Sequence, residues 1–476
     1  MRTTLIGHAT WLFETAAGNL LTDPVFFDPF EEGTVVSCPR RVVDIDALPE
    51  LHALFVSHRH LDHLDLPSLA TLSRSLPVFC PADPFVLTAL DLLGFEDVRP
   101  LAPFEAVRLG DLELLPLPSA NPQVLEYALW ISDGETSALN QVDALLTPAT
   151  LKRFAGERPT PDLHLAMYAS QHFGFFESRR QDLGASHAAN LGCTLTVGAR
   201  CVVPASAGFR FARPHAWLNP HLFPVSPERF AADLARLRPE VRCTLLEPGD
   251  AVIVEQRTPE PFTVERASSP FVQTLESDRW RIAHDPTAGV PELTDEDPAG
   301  YGHEAIAELA SGLLEQGLRQ FVDRALVSGD ELLARYHELH VSYRVDVMLP
   351  GEPLSFSINF GTTPVTYATV VDPTVRLRIA GSTLVELTLG RTSWFRARPC
   401  VRRAISAVEP VLTARGLEAR TVDLEDLLLH YITSGMPGSD GHALNWLHRS
   451  VSGLPGVPAP PQNQSSEGNK LPRQSK

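Results

Sequence analysis

The sequence predicts an α/β chain in two parts, a layered α/β domain over residues 1–265 and a smaller α+β domain with an antiparallel sheet over 301–453. Three observations predict it. Short apolar runs bounded by turn residues alternate with amphipathic helical stretches through the first part. A stretch rich in Pro, Asp, Glu, Gly and Thr at 266–300, without clean periodicity, reads as a linker. After it, one long amphipathic helix pattern is followed by period-two strands.

In chain order, strands are expected at Thr3–Ile6, Thr10–Glu14, Asn19–Thr22, Ala53–Val56, Val107–Leu117 and Cys201–Pro204, where apolar residues cluster or alternate. Helices are expected at Pro67–Ser75, Pro84–Leu93 and Pro227–Leu237, the last with Ser226 as N-cap before a first-turn proline. From His303 to about Ala325 a stripe of Ile306, Leu309, Leu313, Leu314, Leu318 and Phe321 marks a helix. Strands follow at His340–Met348, Leu354–Phe360, Thr366–Val371 and Val375–Ile379, then helical stretches at Pro399–Arg415 and Leu424–Thr433. Residues 454–476 are too polar to bury anything and read as a disordered tail.

Composition narrows the function classes. Of 476 residues, 44% are apolar and 21% charged, enough to build a core. Acidic residues outnumber basic ones 58 to 40, and the resulting charge of -18 repels phosphate backbones and anionic membranes. Neither nucleic acid nor membrane is therefore an expected partner. The start has no apolar signal core and no long uncharged apolar run exists, so a soluble, cytoplasmic protein is expected. Six cysteines without paired spacing read as reduced, buried residues. The 17 histidines are uneven, with none between His63 and His164.

Four ligand-type side chains stand in the six residues His58-Arg59-His60-Leu61-Asp62-His63, directly after the strand at Ala53–Val56. Alternate residues of an extended segment point the same way, so His58 and His60 can share one metal ion. Asp62 and His63, as the chain turns, can supply a second. An isolated His-x-His is more often a solvated polar loop, but the full set after a buried strand points to metal.

With Gly7-His8-Ala9-Thr10 and Leu20-Leu21-Thr22-Asp23-Pro24 added, residues 1–255 resemble the metallo-β-lactamase superfamily. The resemblance implies an αββα sandwich with a two-metal site at one end. Gly-His-Ala-Thr and Leu-Leu-Thr-Asp-Pro are similar to the lactonase-like and phospholipase-D-like hydrolase branches. Hydrolytic members complete the first metal site with a third histidine about 50–80 residues on, a window that here holds none. Glu126, opening an apolar strand, is the candidate replacement, with a solvent-facing strand-edge acid as its alternative. Asp143, in Leu139-Asn140-Gln141-Val142-Asp143, takes the place of the bridging carboxylate.

Glutamate in place of histidine makes a harder, oxygen-rich site that suits iron better than zinc. In this the sequence resembles the di-iron oxygenase branch, represented by the chloramphenicol-pathway β-hydroxylase and the lactamase-fold part of CMP-N-acetylneuraminate hydroxylase. Val203–Phe209 with His215, then Glu247-Pro248-Gly249-Asp250, is also similar to the latter. The resemblance implies His215 as the last ligand of the second metal, with His221 as the alternative. His8 and Asp23 are expected to orient ligands rather than bind metal. His172, amid aromatics, is either a pocket residue or a core histidine.

The expected metal set is thus His58, His60, Asp62, His63, Glu126, Asp143 and His215, with Asp62, Glu126 and Asp143 as catalytic carboxylates. The expected activity is a di-iron, hydroxylase-type oxygenase acting on a small molecule; a two-zinc hydrolase of esters, lactones, amides or phosphodiesters is the alternative. The Cys-x-His and Cys-x-x-His pairs of a Rieske centre are absent from the sequence, so electrons are expected from a separate donor such as a ferredoxin or reductase. The C-terminal part is compatible with a cover for the metal pocket, a homodimer interface or a substrate-delivery module.

Overall fold

The computed structural model describes residues 1–122, 124–169, 183–255, 261–275, 283–405, 424–436 and 441–457. They divide into two compact units, one of residues up to 288 together with 450–457, the other of residues 289–449.

The first unit opens with a meander, β1 (Arg2–Gly7), β2 (Thr10–Thr15) and β3 (Gly18–Thr22), followed by β4 (Val35–Ser37), β5 (Arg41–Val43), β6 (Ala53–Phe55), β7 (Val78–Pro81) and β8 (Val98–Leu101). Then come β9 (Val107–Leu109), β10 (Leu112–Pro118), β11 (Tyr127–Ser132), β12 (Ser137–Asn140), β13 (Leu163–Met167) and β14 (Cys201–Ala205). The unit closes with β15 (Phe209–Phe211), β16 (Arg242–Cys243), β17 (Ala251–Val254), β18 (Phe262–Glu265) and β19 (Val272–Thr274). Two large sheets result, ordered β18-β17-β1-β2-β3-β6-β7-β8 and β16-β14-β13-β12-β11-β10-β9.

The two sheets share one apolar layer. Trp11, Phe13, Leu20, Phe55 and Phe79 of the first pack with Leu114, Leu129, Ile131, Leu165 and Val203 of the second. Outside the second sheet, Leu151 and Phe154 of the helix Pro148–Glu157 cover Leu115, Trp130 and Leu139. Phe230 and Leu234 of the helix Pro227–Leu237 cover Ala166 and Val202. Two sheets packed face to face, with helices outside the second, agree with the layered α/β class expected from the sequence.

The pairing pattern explains why the functional residues collect at one end. β1 and β3 both run antiparallel to β2, and β3 is parallel to β6, so the loops after β1, β3 and β6 leave from the same edge. In the second sheet β12, β13 and β14 are parallel and β11 antiparallel to β12, so the start of β11 joins the ends of β12 and β14.

Several expected elements differ in extent. The helix expected at Pro67–Ser75 is a single turn, Leu66–Leu69, capped by Asp65. Arg74 donates to the carbonyls of Leu69, Ala70 and Leu72, which ends the turn by satisfying them with a side chain. The strand expected at Val107–Leu117 is the hairpin β9–β10, broken where Gly110 takes φ 59°. Within the stretch read as irregular, β19 pairs with β5.

In the second unit, His303–Ser311, the π-helical Gly312–Leu318 and Arg319–Ser328 form one continuous helical run. The sheet is β21 (Leu354–Asn359), β20 (Ser342–Met348), β22 (Val375–Ala380) and β23 (Val401–Ile405), with β20–β22 parallel and the outer pairs antiparallel. Tyr343, Val345 and Val347 of β20 alternate into its core with Leu377 and Ile379 of β22. Thr366–Val371 forms no strand, only a bridge from Thr366 to Asn359. Val401–Ile405, expected as helix, is strand β23, its β-branched ends paired with β22. Residues 406–423 lie outside the described set.

Candidate metal centre

The loop after β6 carries Ser57 and the His58–His63 run into the edge between the sheets. Its anchor is Asp23, fully buried, just past β3 and in the left-handed region with φ 43°. Asp23 Oδ1 accepts from the Ser57 backbone N–H at 2.7 Å; its Oδ2 accepts from Ser57 Oγ at 2.7 Å and from His63 Nδ1 at 3.0 Å. With Ser57 Oγ–H committed to Asp23, its oxygen accepts from His58 Nδ1 at 2.9 Å. One carboxylate thereby fixes two imidazoles in the tautomer that presents an Nε2 lone pair.

These lone pairs converge. His58 Nε2 lies 2.9 Å from His60 Nδ1, and the His58 and His63 ring centroids are 4.2 Å apart. His63 Nε2 is 3.4 Å from Asp143 Oδ2 and 3.6 Å from Asp62 Oδ2. Buried, it has no hydrogen-bond partner among the described residues. The two His63–carboxylate spacings are too long for good hydrogen bonds but suit donors around a shared cation with bonds of about 2.0–2.2 Å. Two overlapping groups hold ligand atoms within 4.8 Å of one another: His8, Asp62 and His63, and His58, His63 and Asp143.

The electrostatics agree with a cation site. Burial, then His63 and His60, push His58 well below its usual range. Burial also opposes charge on His63, yet Asp62 and Asp143 outweigh it and hold that imidazole well above. Burial pushes Glu126 up to about 7, with Asp143 adding to the rise while Ser119 and His63 oppose it.

Asp62 is held by His8, whose Nδ1 accepts from the Gly208 N–H at 3.2 Å, so that Nε2–H donates to Asp62 Oδ2 at 3.1 Å. The close approach requires glycine at 208, because a Cβ there would stand 2.6 Å from His8 Cα. His8 itself has φ 50°, Val142 before Asp143 has φ 53° and Ser206 has φ 63°. Strained backbone therefore clusters around the site.

Glu126 is buried just ahead of β11, where the Tyr127 N–H bonds the Ser57 carbonyl at 3.3 Å, and Ser119 Oγ donates to Glu126 Oε1 at 2.5 Å. It belongs to neither three-residue group above, though it lies close enough to Asp143 and His63 to feel both. His215 opens a 3-10 turn, His215–Leu218, and His221 is buried six residues on; neither is in the two groups. His172 lies outside the described residues.

Four supporting residues escaped the sequence reading: Ser57, Ser119, Gln141 and Gly208. Gln141 Oε1 accepts from His164 Nε2 at 3.0 Å, and its Nε2 donates to the Ala144 carbonyl at 3.0 Å, clamping the turn that bears Asp143. Ser57 alone had a signal, as a hydroxyl directly before the histidine run.

The centre is a cluster of metal-ligand side chains set at the ends of two packed sheets. Residues 18–154 match the beta-lactamase superfamily domain. A Mycobacterium tuberculosis protein named for a Rieske 2Fe-2S iron-sulfur centre is 32% identical over 180 residues, covering 36% of this chain and 34% of its own. A similarly named Mycolicibacterium smegmatis protein is 28% identical over 249 residues, 47% of this chain and 45% of its own. The chain thus spans from about a third to under a half of the length of these relatives. Among solved structures, the diiron β-hydroxylase CmlA of Streptomyces venezuelae aligns with a TM-score of 0.34 at 17% identity, over 44% of this chain and 45% of that one. An isothiocyanate hydrolase from Delia radicum gut bacteria aligns with a TM-score of 0.39 at 15% identity, over 53% and 98%. No helix among the described residues is long and apolar enough to cross a membrane.

Proposed function

We propose that the chain is a dinuclear metalloenzyme of the oxygenase type, in which two iron ions serve the hydroxylation of a small molecule. The observation that carries the reading is Glu126, a buried carboxylate beside Asp143 and His63 where an imidazole is expected. With Asp62 and Asp143 it gives three carboxylates to the donor set, a balance that favours iron over zinc. His58, His60, Asp62, His63, Glu126, Asp143 and His215 are the residues that would hold the ions.

When bound, iron would supply the one-electron redox chemistry that O2 activation needs. The chain's own part is to fix and shield. Asp23 sets the His63 tautomer directly and that of His58 through Ser57; His8 holds Asp62; Ser119 holds Glu126 Oε1. Inserting one oxygen atom of O2 into a C–H bond takes up two electrons and two protons and releases water. A donor of the ferredoxin or reductase kind must deliver those electrons, and the Rieske names of the mycobacterial relatives fit such a setting.

The imidazole pair His58 and His60 favours the second reading, a two-zinc hydrolase. Metal analysis of protein made with both metals supplied separates the two. The oxygenase predicts about two Fe per chain, O2 uptake with a reductant, and loss of one ion in Glu126→Ala. Two zinc ions with ester or lactone turnover and no O2 uptake would establish the hydrolase instead.

A further inference from the structure

We propose that a cavity of about 470 Å³ beside the metal centre is a binding site for a neutral small molecule with an apolar body and one carbonyl group, held by the hydroxyl of Tyr168. Binding there requires no metal, so it stands apart from the metalloenzyme reading above.

The cavity is formed by the end of β1, Tyr168 just past β13, the loop after β14 and the loop before β17, and its size is that of a small-ligand site. None of the seven expected metal ligands lines it; the link to them is His8, which stands in the wall and is hydrogen-bonded to Asp62 at 3.1 Å. Leu5, Trp11, Leu245 and Leu246 give the cavity apolar surface for a hydrocarbon or aromatic body.

Tyr168 is the polar group aimed into this space. It is 2% exposed, and its ring packs edge to face on Phe230 with centroids 6.2 Å apart. Burial, then Glu228 and Cys38, push its phenol well above the usual range, and no hydrogen bond to a described residue is among the causes. Polar atoms that lack both a partner and contact with open space form a separate set, which includes Ser206 Oγ and Trp11 Nε1 but not the Tyr168 hydroxyl. That hydroxyl therefore opens into the cavity its residue lines. A phenol that keeps its proton is a donor, and a buried donor without an acceptor is destabilising. The missing partner is an acceptor, which an ammonium group cannot be. A carboxylate is disfavoured because Glu228, whose field already reaches the phenol, repels it. A neutral carbonyl on an apolar body meets both demands.

The test is calorimetric titration of chelator-treated protein with three probes of similar shape, 4-phenylbutan-2-one, 3-phenylpropanoate and butylbenzene. The ketone should bind about ten-fold tighter than the hydrocarbon, with the carboxylate weakest. Tyr168→Phe removes one oxygen atom and leaves the ring, so it should bring the ketone down to the affinity of the hydrocarbon. It should do so without lowering Tm, because the hydroxyl bonds no described residue. A tyrosine with a merely structural role would lower Tm and leave the ratio of the two affinities unchanged. Glu228→Gln, at an exposed helix start, should raise carboxylate binding about three-fold. Equal binding of ketone and hydrocarbon, a ketone preference that survives in Tyr168→Phe, or no ketone binding at millimolar concentration overturns the proposal. Failure of Tyr168→Phe to fold overturns it as well, since the hydroxyl would then be needed by the fold itself.

Discussion

Asp23→Asn isolates the role of the carboxylate that organises the metal centre. Asparagine keeps the volume and tolerates the left-handed backbone at 23, so the chain path is preserved. The amide retains an oxygen for the Ser57 N–H but turns an NH2 toward Ser57 Oγ and His63 Nδ1, which now face 2.7 and 3.0 Å contacts with Asp23 Oδ2. His63 must then move its proton to Nε2, the atom aimed at Asp62 and Asp143, and Ser57 can no longer hold His58 in place. Loss of an outer partner costs about 10–100-fold in metal affinity, or roughly 1.4–2.7 kcal/mol. Since Asp23 serves His63 and His58 together, both ions should weaken within that range, whereas Ser57→Ala should weaken chiefly the ion bound by His58. Competition against a chromophoric chelator, with circular dichroism as the folding control, measures both. Affinity within two-fold of the parent in folded Asp23→Asn protein would refute the tautomer argument.

Gly208→Ala forces a Cβ to 2.6 Å from His8 Cα and 2.7 Å from His8 N, backbone atoms that cannot rotate away. A loss of about 2 kcal/mol or more, read as a fall of at least about 4 °C in Tm, is expected. His164 is buried and its pKa pushed down to about 3, so the native state stays unprotonated while the unfolded chain takes up a proton below about 6.5. Stability should therefore fall with acidification between about pH 6.5 and 3, by up to ~1.4 kcal/mol per pH unit, and His164→Asn should remove that part of the slope in urea titrations. Metal content should drop by about one ion in His215→Ala and stay unchanged in His221→Ala; the reverse pattern assigns the last ligand to His221.

The acidic surplus of the chain takes on a more specific meaning at the centre, where Asp62 and Asp143 converge on His63 Nε2. Glu126 adds a conditional charge. Its pKa of about 7 lies above the ordinary carboxyl range, so stability gained from the neutral form is present below about pH 4.5 and lost as pH rises through 7. A cation there reverses the preference by stabilising the ionised form.

Sequence alone determined the layered α/β class and the strand-to-helix turn carrying His58–His63, because apolar periodicity and ligand spacing are local. It also singled out Glu126, through a gap in the histidines, and Asp143, through the likeness of Leu139–Asp143 to a bridging-carboxylate element. It could not tell that Asp23 serves two imidazoles, that Gly208 must stay bare for His8 to reach Asp62, or that Gln141 is clamped to His164. Those pairings join residues 34, 200 and 23 positions apart. They exist because parallel strands bring the ends of β1, β3, β6, β12 and β14 to one edge. Helix and strand boundaries went astray where competing partners decided them: Arg74 satisfied the carbonyls that a longer helix would have used, and pairing with β22 drew Val401–Ile405 into the sheet. Local chemistry named the donors; only tertiary contacts fixed their tautomers and the cavity beside them.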